Sequence, residues 1–134
     1  MPAISKRENN KWLHTIAASY GFRIGDIAYI FCNDKKILEV NNQFLHHNYY
    51  TDIITFDYST GKTLHGDIFI SLDTVKSNSE QFKTNYDTEL HRVIIHGILH
   101  LCGINDKGPG EREIMEQAEN EALRIWKQQT KSVI

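Results

Sequence analysis

The sequence predicts an α+β domain in which a small mixed sheet packs with about five helices, one of them buried at the centre. Three observations lead there. Short β-branched and aromatic runs recur three times between longer segments of helical period. One of the helical segments is apolar on nearly every side. The chain, 134 residues at 40% hydrophobic content, is long enough for one core and too short for two ordinary domains. Residues 1–134 are therefore read as a single domain, without repeat, linker or low-complexity tract.

In chain order, residues 9–20 place Trp12, Leu13, Ile16 and Ala17 at helical spacing, with Gly21 as a stop signal. Residues 26–32, with Ile27, Tyr29, Ile30 and Phe31, read as a largely buried strand. Asp34 can cap a second helix running to about Leu45, on which Ile37, Leu38, Asn41, Phe44 and Leu45 repeat at three and four. Residues 46–52 are a loop. Residues 53–58 and 64–71 return to strand composition around a turn at 59–62, which predicts an antiparallel hairpin. Within it, Gly66 marks a bulge or a close backbone approach, and Asp67 can either point at the central helix or stabilise a turn. Residues 72–85, polar with Val75 and Phe82 at heptad spacing, read as a solvent-facing helix leading to a loop, and Asp87 or Thr88 caps the helix that follows. After the Gly108-Pro109-Gly110 turn comes a last helix. Glu111 and Glu113 suit its positive end, and Ile114, Ala118, Ala122 and Trp126 form its buried stripe.

Charge and cysteine usage exclude several classes. A net charge of -2 lacks the overall basic field of many nucleic-acid binders, so any RNA contact has to be local. Cys32 and Cys102 sit in apolar runs without Cys-x-x-Cys spacing, as reduced core thiols do, and a disulfide is the weaker reading. The first residues lack an apolar signal region and no run is long enough to span a membrane, so a soluble, cytoplasmic protein is expected.

The central helix carries the chemistry. On a helical wheel of residues 89–102, Leu90, Val93, Ile94, Ile98 and Leu101 form one apolar face and Ile95, Leu99 and Cys102 another. Glu89, Arg92, His96 and His100 fall on one stripe between them. A helix apolar nearly all round is buried, so this stripe has to face a cleft or find internal partners. His96 and His100 project from successive turns and can grip one ion. Gly103 suits a left-handed helix end that folds Asp106 back toward the same point. Two imidazoles and a carboxylate suit one Zn²⁺ per chain with an open position for an activated water. Asp67 or Glu89 can orient a ligand histidine from behind. The bland alternative is a core helix with two hydrogen-bonded histidines. The residues alone do not identify a general base.

Three blocks resemble the YbeY family of bacterial metallo-endoribonucleases. Residues 96–106, His-Gly-Ile-Leu-His-Leu-Cys-Gly-Ile-Asn-Asp, are similar to the family pattern His-Gly-x-Leu-His-Leu-x-Gly-Tyr-Asp-His. Residues 51–56, Thr-Asp-Ile-Ile-Thr-Phe, resemble its Thr-Asp-Val-Leu-Ser-Phe, and Gly66-Asp67-Ile68 its Gly-Asp-Ile strand. Two positions depart. Asp106 stands where the family has its third histidine, still a competent ligand but one that lowers the charge at the metal. Leu45 takes the place of a family arginine, so His46, His47, Lys62, His65, Arg92 and Lys107 are the other cations near the quoted blocks.

The resemblance implies a zinc-dependent, single-strand-specific endoribonuclease acting in 16S rRNA 3′-end maturation and ribosome quality control. Its partners would be RNA and the ribosome, with neither DNA nor membrane expected. Two rivals stand beside it. A zinc metalloprotease-like hydrolase uses the same histidine spacing but needs His-Glu-x-x-His, and Gly97 occupies the glutamate position. A non-catalytic ribosome-associated module would hold a structural zinc, which usually takes four protein ligands where three are evident here.

Overall fold

A computed structural model describes residues 6–45, 51–106 and 108–131. Its element order is α1 (Lys6–Ser19), β1 (Arg23–Cys32), α2 (Asp34–Leu45), β2 (Ile53–Asp57), β3 (Thr63–Ser71), α3 (Leu72–Gln81), α4 (Tyr86–Leu101) and α5 (Glu111–Lys131). The architecture is α+β as predicted, with one mixed three-stranded sheet and five helices among the described residues.

Strand β3 lies between the other two, antiparallel to β2 and parallel to β1. A tight turn makes the first pairing, and the second needs a long crossover, which α2 and β2 together supply. The central strand buries Leu64, Ile68 and Ile70 completely. By contrast β1, expected to be largely buried, is a sheet edge whose residues are mostly half-exposed. Its β-branched and aromatic run would read alike at the edge or the centre, because composition reports the pleat and not the number of neighbours. It also begins earlier than expected, since pairing of Arg23 and Ile24 with Thr63 and Leu64 continues past a bulge.

Alternation along β3 assigns the two faces of the sheet. Gly66 and Ile68 face α4. A Cβ at Gly66 would meet the Phe56 carbonyl oxygen at 2.5 Å, with the Leu101 side chain at 3.6 Å. Asp67 and Phe69 take the other face, where Phe69 packs beside Ile37 and Val40 of α2. Asp67 therefore points away from the central helix.

Helix α4 is capped by Asn85, whose Oδ1 accepts from the amides of Asp87 (2.8 Å) and Thr88 (3.3 Å). Asp87 and Thr88, the expected caps, are already inside the helix, where Asp87 meets the positive end of the dipole. Asp34 likewise does not cap its own helix. Asn33 does so, accepting from the Lys36 amide at 2.9 Å, while the Asp34 carboxylate accepts the Ser71 and Thr74 hydroxyls and ties α2 to the start of α3. At the far end of α4, the amide of Gly103 donates to His100 O at 3.0 Å and that of Ile104 to Leu99 O at 3.1 Å. With Gly103 at φ 96°, this is a Schellman end of the predicted kind.

One apolar position differs from expectation: Ile114 is 58% exposed and Met115 takes its place on the buried stripe of α5, because a strict i+4 row drifts about 40° per step around the helix and leaves the core face by Ile114. Phe82 lies just past the end of α3, on the solvent-facing side expected of that segment. Trp12 completes the packing around α4. Its indole N–H donates to Ala122 O at 2.8 Å, and its ring adjoins Trp126, which stacks on His91 with ring centroids 4.4 Å apart.

Gly97 marks the closest approach of α4 to the sheet. A Cβ there would stand 3.0 Å from Ile53 Cδ1 and 3.2 Å from Ile68 Cδ1. Overpacking of this kind costs about 1–3 kcal/mol. Gly97→Val is expected to lower unfolding stability by about 2 kcal/mol, read from the midpoint of urea denaturation at unchanged slope. An unchanged midpoint would show that helix and sheet are not in register-tight contact.

Candidate metal centre

The polar stripe of α4 forms the floor of a cleft of about 670 Å³, walled by β2, the α3–α4 junction and α5. Glu89, Arg92, His96 and His100 all line it, as the wheel requires. The Schellman turn returns the chain so that Asp106 Oδ2 stands 3.3 Å from His96 Nε2. Two donors about 2.0–2.1 Å from a tetrahedral ion lie roughly 3.3–3.4 Å apart, so this pair has the spacing of two zinc ligands. His100 lines the same cleft, and its Nδ1 is buried with no hydrogen-bond partner among the described residues. No three His, Cys, Asp or Glu side chains among the described residues stand close enough together to hold a metal ion. The structure thus brings His96 and Asp106 together and puts His100 on the same floor one turn further along.

What the sequence reading missed is Glu119 of α5. Its Oε2 accepts from His96 Nδ1 at 2.7 Å and its Oε1 from Arg92 Nη1 at 2.9 Å, while Arg92 Nη2 donates to Asn120 Oδ1 at 2.8 Å. A histidine that donates from Nδ1 to a carboxylate is held in one tautomer, with the Nε2 lone pair free. Here that lone pair faces the acceptor oxygen of Asp106. Two acceptors at this separation repel unless a cation or a proton lies between them, and a divalent ion bound by both meets that need. His96 and Asp106 therefore fit two positions of a zinc site, and His100 is the nearest side chain on the same helix face for a third. The signal for Glu119 was present but faint: a carboxylate on a stripe otherwise made of Met115, Ala122 and Leu123, each of them buried.

Glu89, the other proposed orienting group, lines the cleft but stands two helical turns from His96, and Glu119 takes the role assigned to it. Asp67, on the far face of β3, takes no part. Among the cations considered, Arg92 is held by Glu119 and Asn120, Lys62 lies 4.8 Å over the Phe22 ring, and His65 Nδ1 accepts the Asp26 amide. His46, His47, Lys107 and the side chain of Leu45 lie outside the described residues.

Asp52 enters the cleft at the start of β2. Burial raises its pKa, opposed by the charge of His96. Glu89 is raised in the same direction, again chiefly by burial and against the pull of Arg92. For His96 burial acts downward, but the hydrogen bond and charge of Glu119, followed by Asp106 and Asp52, outweigh it and the pKa is raised. In chelated protein, its contribution to stability is therefore full below the unfolded value of about 6.5 and is lost as pH climbs through the raised folded value. An NMR titration is expected to place His96 above an ordinary histidine, and Glu119→Gln to move it down. A normal midpoint insensitive to Glu119→Gln would show that the contact does not form in solution.

Position 97 bears on the protease alternative. Its Cβ direction meets Ile53 and Ile68, so a glutamate there would enter the helix–sheet contact. The comparisons agree with the nuclease family. The family model described as "Endoribonuclease YbeY" matches residues 3–127. The endoribonuclease YbeY of Bacteroides thetaiotaomicron is 72% identical over 125 residues, covering 93% of this chain and 91% of that protein. Its counterpart in Parabacteroides distasonis is 66% identical over 125 residues, covering 93% and 88%. The solution structure of TM1509 from Thermotoga maritima matches with a TM-score of 0.66 at 27% identity, over 94% of this chain and 83% of that one. With a family model spanning nearly the whole sequence and relatives this close across their own length, this chain belongs to the endoribonuclease YbeY family.

Proposed function

We propose that this chain is a zinc-dependent endoribonuclease that cuts single-stranded RNA, with the 3′ end of 16S rRNA as substrate and ribosome quality control as its setting. Family membership supports the reaction class. The observation that carries the metal is the His96 Nε2 to Asp106 Oδ2 pair at 3.3 Å, with Glu119 fixing the histidine from behind. His96, His100 and Asp106 would hold one zinc per chain. Bound there, the metal supplies a Lewis acid for a phosphoryl oxygen and makes a nearby water more acidic.

The chain's own residues supply the rest. Glu119 keeps the Nε2 lone pair of His96 aimed into the cleft, and Arg92 Nη1 holds Glu119 by donating to its other carboxylate oxygen. Asp52 and Glu89 keep a proton to higher pH than ordinary carboxylates, which suits them to accept and return one near the scissile bond. The apolar flanks of α4 pack into the core and leave only its polar stripe open to substrate. No described helix is long and apolar enough to cross a membrane, and a ribosomal substrate would place the work in the cytoplasm.

Purified protein is expected to contain about one zinc per chain and to cut unstructured RNA, with both lost on chelation and restored by zinc. His96→Ala or His100→Ala should abolish the metal. Stoichiometric zinc in both variants would refute the ligand assignment, and a metal-replete protein that binds ribosomes without cutting RNA would refute the enzyme.

Asp106 gives a second test. A carboxylate ligand lowers the net positive charge at the metal, so replacing it by a neutral imidazole should make the reaction need less base. Asp106→His is expected to keep zinc and move the alkaline-rising limb of the cleavage rate to lower pH. Asp106→Ala should lose most metal and activity. Full occupancy and rate in Asp106→Ala would leave the residue a loop aspartate.

A further inference from the structure

Phe82 is an apolar side chain in a polar place. It is 61% exposed, and it lines the cleft that holds His96 and Asp106. The backbone around it is closely tied, with the Phe82 amide donating to Asn78 O at 2.9 Å and the Thr84 amide to Ser79 O at 2.8 Å. This helix end places Lys83 at φ 54°, a left-handed conformation that glycine adopts freely and an L side chain adopts only at a cost. The chain thus holds an open aromatic ring at the cleft wall on a strained turn, a combination found at binding sites more than at plain surface.

Charge points to the other end of the cleft. Of its two arginines, Arg92 is occupied by Glu119 and Asn120, whereas Arg112 has no hydrogen-bond or ion-pair partner among the described residues. Arg112 sits in the first turn of α5, where the helix dipole disfavours a cation; Glu111, Glu113 and Glu116 surround it on the same turn and the next, and no ion pair with them forms among the described residues, which leaves its guanidinium open to the cleft. Because α5 runs back along α4, with Trp126 on His91 and Glu119 on His96, Arg112 lies toward the His100 end of the stripe. Phe82 lies toward the Glu89 end, where Thr84 bonds the Glu89 side chain. From Glu89 to His100 the floor is about 16 Å long at the α-helical rise.

We propose that single-stranded RNA lies along this floor, one base stacked on Phe82 and a backbone phosphate held by Arg112, so that the bond between them is presented to His96 and Asp106. This rests on the endoribonuclease reading and specifies its substrate contacts. Stacking on an aromatic face tolerates any base, because every base has a π-face, and it requires the base to be unpaired. The acidic cleft needs the Arg112 cation to admit a polyanion.

The test is steady-state cleavage of a single-stranded oligoribonucleotide by zinc-loaded protein. Phe82→Ala is expected to raise KM about tenfold, more than it lowers kcat, and Phe82→Trp to restore it. An abasic position opposite Phe82 should raise the wild-type KM similarly and leave that of Phe82→Ala unchanged. Arg112→Gln should lower the slope of log KM against log salt by about 0.7. A wild-type KM in Phe82→Ala, or a loss that Phe82→Trp does not repair, overturns the proposal while an active wild type leaves the nuclease reading intact. A zinc-loaded wild type that cuts no RNA overturns both.

Discussion

A helix with apolar residues on nearly all sides can be buried only if its remaining polar groups share one direction, and α4 obeys this constraint. Leu90, Ile94, Ile95, Ile98 and Leu99 are all fully or almost fully buried, between the sheet on one side and α1 and α5 on the other. Glu89, Arg92, His96 and His100 are left to one opening. The sheet, the crossover through α2 and the Trp12, His91 and Trp126 ring cluster are the ways in which the chain covers the apolar sides. Had a polar residue fallen at Ile95 or Ile98, its desolvation would have had no partner to offset it.

Burial also explains the electrostatics. Carboxylates of Asp52, Glu89, Asp106 and Glu119 gather in one cleft, where desolvation and mutual repulsion raise their cost. Arg92 relieves part of it at Glu119, and the hydrogen bond and charge of Glu119, with Asp106 and Asp52, raise the pKa of His96 against its burial. Acceptors set this close against one another concentrate negative charge on the cleft floor, and that charge is relieved only by a proton or a cation.

Two glycines show how backbone requirements shape the site. Gly97 allows α4 to lie against Ile53 and Ile68, which brings His96 close to β2 and Asp52. Gly103 terminates the helix in the left-handed region, so that a few residues suffice to return Asp106 to His96. One sets the depth of the histidines and the other sets the reach of the carboxylate.

By itself the sequence determined what depends on local periodicity and local turn chemistry. The helical wheel of α4, the hairpin of β2 and β3, the stop at Gly103 and the α+β class were legible because each rests on residues within a few positions of one another. The three family-like blocks, too, lie in continuous runs. Tertiary structure alone decided which strand is central, since β1 and β3 carry similar compositions and only pairing tells an edge from a middle. It decided that Asp67 lies on the sheet face away from α4, because a strand's two faces look alike until one is covered. It also brought Glu119 to His96 across 23 positions of sequence, a contact set by the packing of α5 on α4. A lone glutamate on an amphipathic helix has no local feature that names its partner; only the meeting of two helices does.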